Sequence, residues 1–320
     1  MNSTHKVEVT RIKLETHPNA DSLDVAFIFS GYSCCVRKGE WVDGQLGAYI
    51  PPDSIVDSSR PEFAFLAGQE RIRVKRLRGI VSMGLLMPAP EGAKEGDDVA
   101  EFYGVKHYDP PMPTSTGGEA ESPPKRYLPV FDVDSLRRYA SVFEEGELVW
   151  ITEKLHGASG KWLWQDGRMH CGSRTEWKRE DEKNLWWRAL KATPFLEEFC
   201  QTHPEITVYG EVYGQVQDLK YGVGRNEVRV AVFDLLRGNE WIGPHEARII
   251  GFDLPFVPTI GVGIPFDLEK ILTFAEGPSL IASANHVREG IVVKPIVERT
   301  HPRIGRVCLK VVGNGYLERA

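Results

Sequence analysis

Cysteine is sparse and unpatterned. The five are Cys34, Cys35, Cys171, Cys200 and Cys308, an odd number with no C-x-x-C spacing. That excludes a disulfide framework and a zinc knuckle, and the thiols read as reduced, in a cytoplasmic protein. Long apolar runs are missing as well: none approaches the ~18 residues of a bilayer span, and Met1 to Thr10 holds no signal-type apolar core. Nor is positive charge in excess. Lys plus Arg number 39 against 45 Asp plus Glu, a net charge of −6 at pH 7. A chain-wide polycation is therefore ruled out, though a local basic face is not. No G-x-x-x-x-G-K-[ST] occurs, so no P-loop cradles phosphates, and the lack of internal repeats or heptads excludes solenoids and coiled coils. His107, His203, His245 and His301 have no metal-site spacing and read as surface or turn residues.

What is present suffices for packed cores. The 320 residues are 42% hydrophobic, with 8 Trp, 10 Tyr and 14 Phe, enough for about two domains at ~100–200 residues each. Pro110, Pro111, Pro113, Pro123 and Pro124 flank a Thr/Ser/Gly stretch, so residues 109–125 read as an extended linker between a domain at 1–108 and another at 126–320. The first carries short β-rich runs, Val7 to Leu14, Val25 to Phe29, Ser33 to Val36, Leu46 to Ile50 and Arg71 to Leu77, which predict a small OB-like barrel. The second mixes strand-like runs, Leu148 to Ile151, Thr207 to Tyr209, Val228 to Phe233 and Ile291 to Val293, with helical stretches at Glu180 to Lys191 and Pro194 to Cys200. The class is α+β. Trp186 and Trp187 read as packing residues.

Two patterns carry chemistry. Strict alternation over Arg71-Ile72-Arg73-Val74-Lys75 puts Arg71, Arg73 and Lys75 on one strand face, suited to phosphates or to plain solvation. In the second domain Lys154-Leu155-His156-Gly157 follows a β run, so the lysine projects from a strand end. After it come Ser173-Arg174, Gly210-Glu211, Phe233-Asp234, Glu289-Gly290-Ile291-Val292-Val293-Lys294 and Leu309-Lys310. Each group alone is short enough to be a turn or a core residue. Together they supply a nucleophile, cations for phosphates, carboxylates for a divalent metal or ribose, and an aromatic for a base, the parts of nucleotidyl transfer. Strand parity puts Glu289 and Lys294 on opposite faces unless the backbone bends.

The ordered series K-x-H-G, S-R, G-E, F-D, E-G-I-V-V-K and L-K resembles the covalent nucleotidyltransferase superfamily of ATP-dependent ligases and mRNA capping enzymes, across Trp150 to Val312. Histidine at 156 resembles its RNA-ligase branch. His17 to Val25 and Leu77 to Leu85 are similar to signature stretches of tRNA-binding OB modules. An OB module ahead of the nucleotidyltransferase domain resembles the Deinococcus radiodurans RNA ligase family.

The resemblance implies an ATP-dependent RNA ligase using Mg²⁺ or Mn²⁺. It makes Lys154 the nucleophile that takes AMP from ATP, and gives His156 a part in sealing. Glu153, Gly157, Arg174, Glu211, Phe233, Glu289, Lys294 and Lys310 become nucleotide-binding residues, with Glu211 and Glu289 also metal carboxylates. The implied partner is RNA, or an RNA-containing duplex, with 3′-OH and 5′-phosphate ends joined at nicks; neither a membrane nor an obligate protein partner is expected. The alternatives are a DNA ligase or capping guanylyltransferase, and a non-catalytic tRNA- or RNA-binding protein. Two departures stand out: Val311-Val312 replaces the end of K-x-K after Lys310, and Ser159 stands where phage-type RNA ligases have asparagine. A lysine nucleophile must shed its proton, and Lys294, Lys310 and the metal are expected to lower its pKa.

Overall fold

A computed structural model describes residues 5–108, 119–126 and 128–319. Contacts divide them into two compact units: 5–108 with 137–140 and 317–319, and 119–126, 128–136 and 141–316. Among the described residues no helix is long and apolar enough to cross a membrane.

The smaller unit is a barrel of short strands. Its first run is broken: Glu8–Arg11 pairs with Leu46–Ile50, while Lys13–Thr16 pairs with Leu23–Ile28, which in turn pairs with Tyr32–Arg37. The expected single strand Val7 to Leu14 therefore turns a corner at Ile12. That residue is buried, and its amide donates to Gln45 outside either ladder. Leu46–Ile50 also pairs with Leu85–Pro88, and Val74–Leu77 pairs with Ile80–Met83. The expected strand Arg71 to Leu77 is shortened, because Arg71 makes only an isolated bridge to Ile55. Two apolar clusters fill the barrel, one around Val9, Ile50 and Phe63 and one around Ile12, Ile28 and Tyr49.

The larger unit faces two sheets toward one cavity. The seven-stranded sheet runs in the order Ala120–Glu121, Trp177–Lys178, Arg168–Ser173, Ala158–Gln165, Ile206–Gly214, Val228–Arg237 and Glu240–Trp241. The five-stranded sheet runs Asp134–Ser135, Leu309–Val312, Gly290–Pro295, Leu148–Lys154 and Thr259–Pro265. Several of these strands exceed or were absent from the sequence-based expectation. Helices Leu185–Lys191 and Leu196–Thr202 pack behind the seven-stranded sheet, where Trp162, Trp186, Trp187, Val208 and Val230 form the main core. Asn184 caps the first helix, its side chain accepting from the amides of Trp186 and Trp187, so that helix starts five residues later than Glu180. The tryptophans are buried, as expected.

Of the expected linker, residues 109–118 lie outside the described residues. Within the rest of it, Ala120–Glu121 extends the seven-stranded sheet, and Glu121 pairs with Arg168 and His170.

Candidate active site

Alternation on the five-stranded sheet sends Ile151, Val293 and Leu309 into the core and Thr152, Lys154, Val292, Lys294 and Lys310 to the opposite face. That face lines a cavity of about 220 Å³, whose other wall is Ser159, Glu211, Phe233 and Asp234 from the seven-stranded sheet. Lys154 ends its strand, opposite Gly290. The close crossing there requires glycine, since a Cβ at 290 would lie 1.9 Å from the Val311 carbonyl oxygen.

Parity proves irrelevant to Glu289, which sits just ahead of its strand. Its Oε2 accepts from Lys154 Nζ at 2.7 Å, across 135 positions of sequence. Phe233 and Asp234 are consecutive yet both line the cavity. The cause is a β-bulge: Tyr209 pairs with Asp234 and Gly210 with Val232, leaving Phe233 as the extra residue. Phe131 lies against it, ring centroids 4.6 Å apart.

The chain's own charges do not by themselves supply the expected lowering of the Lys154 pKa. Burial pulls the Lys154 pKa down, but the adjacent Glu289 and Glu211 outweigh it and hold the ammonium above its ordinary value. Lys294 is occupied elsewhere: its Nζ lies 2.8 Å from Asp234 Oδ1 and donates to the Phe233 carbonyl at 2.9 Å. Burial, with Lys154 nearby, lowers the Lys310 pKa. Burial also pushes the Glu211 carboxyl up to about 8, aided by the charge of Glu289 and opposed by Lys154 and a bond from the Gly157 amide. The carboxylates, rather than the lysines, dominate the surroundings of Lys154.

His156 is held on several sides. Its amide donates to Tyr221 Oη at 2.7 Å, its Nε2 lies 2.8 Å from Asp218 Oδ1, and its Nδ1 lies 3.8 Å from Glu289 Oε2. Burial lowers its pKa, with Lys154 acting in the same direction against Glu289 and Asp218. The Glu153 carboxylate is engaged by Ser279 Oγ at 2.6 Å and the Leu280 amide at 2.7 Å. Arg174 is more exposed, its Nη1 3.7 Å from Oδ2 of Asp132, a cavity-lining residue. Gly157 has no room for a side chain, because a Cβ would fall 2.1 Å from the Val212 carbonyl oxygen. Gly157→Ala is expected to cost about 1–3 kcal/mol in urea denaturation by forcing the backbone off Val212. A cost below about 0.5 kcal/mol would show that the loop relaxes freely.

A protein-family model described as RNA ligase matches residues 147–312, more than half of the chain, including every site residue from Glu153 to Lys310 but not Phe131 or Asp132. The chain belongs to the RNA ligase family. An OB-fold domain model matches residues 6–89, and the α+β organisation of an OB-fold domain followed by an RNA ligase nucleotidyltransferase domain is as expected. Among solved structures, Naegleria gruberi RNA ligase with PPi is 25% identical, with TM-score 0.84 over 99% of each chain. A mutant of that ligase with ATP and Mn is 24% identical, with TM-score 0.85 over 98% of each chain. No relative was found among curated proteins.

Several residues that shape this RNA ligase-family site are given no role by the sequence. Asp234 was visible beside Phe233, but nothing in the pattern pointed to Arg306, which grips both its carboxylate oxygens at 2.8–2.9 Å. Asp218 and Tyr221 carry no motif that would mark them as neighbours of His156.

In the smaller unit, the basic run divides. Arg71 donates to Asp53 at 2.6 Å and stacks on Tyr108, 3.8 Å from the ring centroid, whereas Arg73 and Lys75 are exposed, Lys75 donating to Gln69.

Proposed function

We propose that the chain is an ATP-dependent RNA ligase of the Deinococcus radiodurans type, acting in the cytoplasm, that becomes adenylylated on Lys154 and joins 3′-OH to 5′-phosphate RNA ends at nicks in a duplex. Residues 1–108 serve as the nucleic-acid-binding module and 126–320 as the nucleotidyltransferase domain. One observation carries the reading: the Lys154 amine enters a cavity shared with Lys294, Lys310, Glu211 and two aromatic rings, and touches Glu289.

The chemistry follows from that arrangement. Lys154 Nζ loses a proton and attacks the ATP α-phosphorus; the N–P bond forms as the bond to pyrophosphate breaks. An oxygen of the RNA 5′-phosphate then attacks the AMP phosphorus and frees the lysine. The RNA 3′-OH finally attacks that 5′-phosphate and expels AMP. Lys310 and Lys294 stabilise the phosphoryl oxygens, Phe233 packs on adenine, Glu153 and Gly157 shape the nucleotide pocket, and Arg174 meets a phosphate. His156 serves the later steps.

A divalent metal fits the donor set. Among the described residues no three His, Cys, Asp or Glu side chains cluster to cage an ion. Mg²⁺ and Mn²⁺ need only one or two carboxylates beside substrate phosphates, and Glu211 and Glu289 are two buried acids whose charges burden each other. When bound, the ion supplies charge neutralisation at the α-phosphate.

Intact mass measurement after treatment with ATP and Mg²⁺ tests the reading. The expected result is a gain of one AMP per chain with ATP and none with GTP, and RNA-containing nicks sealed faster than all-DNA nicks. An adduct with GTP alone would point to a capping-type enzyme, and no adduct with any nucleotide to a binding protein.

Arg71, Arg73 and Lys75 are assigned to nucleic-acid contact. Since Arg71 also holds Asp53, the cleaner variant is Arg73→Glu with Lys75→Glu. It is expected to lower the slope of log affinity against log salt by about 1.5, at ~0.7–0.9 per phosphate contact, with self-adenylylation intact. An unchanged slope would mean these charges are merely solvated.

A further inference from the structure

Lys161 is a buried cation with no part in the reaction described above. It lies on Ala158–Gln165, on the face shared with Ser159, opposite Tyr209 and Gly172 in the flanking strands. It is only 5% exposed. Among the described residues no carboxylate lies within ion-pairing distance of its ammonium. Instead Nζ donates to the Arg174 carbonyl at 3.4 Å and sits 4.6 Å from the centroid of the Trp177 ring. Burial alone pulls its pKa down to about 8.

An ammonium buried without an anion costs stability, and an apolar side chain of the same length would avoid that cost. Yet the surroundings accommodate this one closely. Gly172 leaves the space its stem occupies: a Cβ there would lie 2.9 Å from Lys161 Cε. The Arg174 carbonyl belongs to a tight turn, in which the Ser173 amide donates to the Glu176 carbonyl at 2.8 Å and the Glu176 amide to Ser173 Oγ at 3.0 Å. The turn thus carries a guanidinium on its outside, beside Asp132 at the cavity, and rests on an ammonium beneath.

We propose that Lys161 is a positioning residue for Arg174, holding the turn's carbonyl so that the guanidinium meets the phosphate in a fixed place. The inference rests on the reading of Arg174 as a phosphate contact, and it accounts for a charge retained at a cost to the fold. Displacing a positioned group by a fraction of an ångström is enough to slow a reaction severalfold.

The test is a cycle in the full-length protein: wild type, Lys161→Met, Arg174→Ala and the double variant, compared for melting temperature, self-adenylylation and single-turnover sealing, with kcat and KM for RNA separated. Lys161→Met is expected to melt at or above wild type while slowing, by about tenfold, the same step that Arg174→Ala slows. The double variant should be no slower than Arg174→Ala alone, since the lysine acts only through that arginine. A Lys161→Met enzyme as fast as wild type, or losses that multiply in the double variant, would overturn the inference while leaving the role of Arg174 intact. Arg174→Ala at the wild-type rate in every step would instead overturn the reading of Arg174, and the inference with it. Should Lys161→Met melt well below wild type, Lys161→Gln, uncharged and one atom shorter, carries the same cycle with the same deciding outcomes.

Discussion

Lys154→Arg is expected to fold like wild type, to bind ATP, and to form covalent adenylate slower by on the order of 10⁴-fold or more, the scale on which losing a nucleophile acts. The proton decides this. In the site Glu289, in contact with the amine, does most to hold the lysine charged, so the chain's own residues favour the form that cannot attack. Lysine can still give up its proton once that carboxylate charge is neutralised. Arginine cannot, because its pKa lies far above any assay pH. Its guanidinium can nevertheless keep the contact to Glu289 made by Lys154 at 2.7 Å, so no buried carboxylate is orphaned and stability should change by less than about 1 kcal/mol. Intact mass after ATP and Mg²⁺, with a urea titration alongside, checks both halves. In the proposed sequence, RNA already carrying a 5′-linked AMP bypasses the lysine, so Lys154→Arg should still seal that substrate. A stable adduct on Lys154→Arg would place the nucleophile elsewhere. Loss of sealing on pre-adenylylated RNA would mean that the amine also serves the last step.

The parts of this site that could be read from sequence are those whose geometry is local. Lys154 was legible at a strand end because the apolar run before it stops at Ile151 and a glycine turn follows at Gly157; the structure carries the strand on to the lysine itself. The barrel was legible from short runs and turn residues. What escaped depends on pairing between distant segments, which no local pattern encodes. Gly290 had to lie against both Lys154 and Val312 before Glu289 could reach the lysine. Alternation misplaces Glu289 because it holds only inside a strand, and the bulge that puts Phe233 and Asp234 on one wall has no local signature. Likewise Arg71 to Lys75 alternates in burial without forming one continuous strand. The roles of individual residues came from resemblance to a family, and the contacts those residues make constrain them. Lys294, for example, must share its ammonium between Asp234 and any phosphate it meets.

That sharing makes Asp234 a side chain whose loss should cost the fold several kcal/mol, on the order of 3–5. Its carboxylate is 3% exposed and receives Arg306 at both oxygens and Lys294 at one. Burial works against its charge, but Arg306 and Lys294 outweigh burial and hold its pKa below the usual carboxylate range. Asp234→Ala leaves two buried cations facing a gap. Arg306 keeps Glu298 at 2.8 Å and Lys294 keeps only the Phe233 carbonyl. Breaking a buried pair from one side costs about 3–5 kcal/mol, mostly because the surviving charge is stranded. Asp234→Ala in urea denaturation should fall in that range, and adding Lys294→Met should recover part of the loss by removing the orphaned ammonium. The pH dependence has a definite sign. A carboxylate with a depressed folded pKa stabilises fully above its unfolded value near ~3.9 and progressively less as pH falls through the folded value, so the gap between wild type and Asp234→Ala should be flat near neutrality and close only below about pH 4. A loss under about 1 kcal/mol, or a Lys294→Met addition that destabilises further, would show that Arg306 and Lys294 find other partners and that the Asp234 carboxylate does not organise this wall of the cavity.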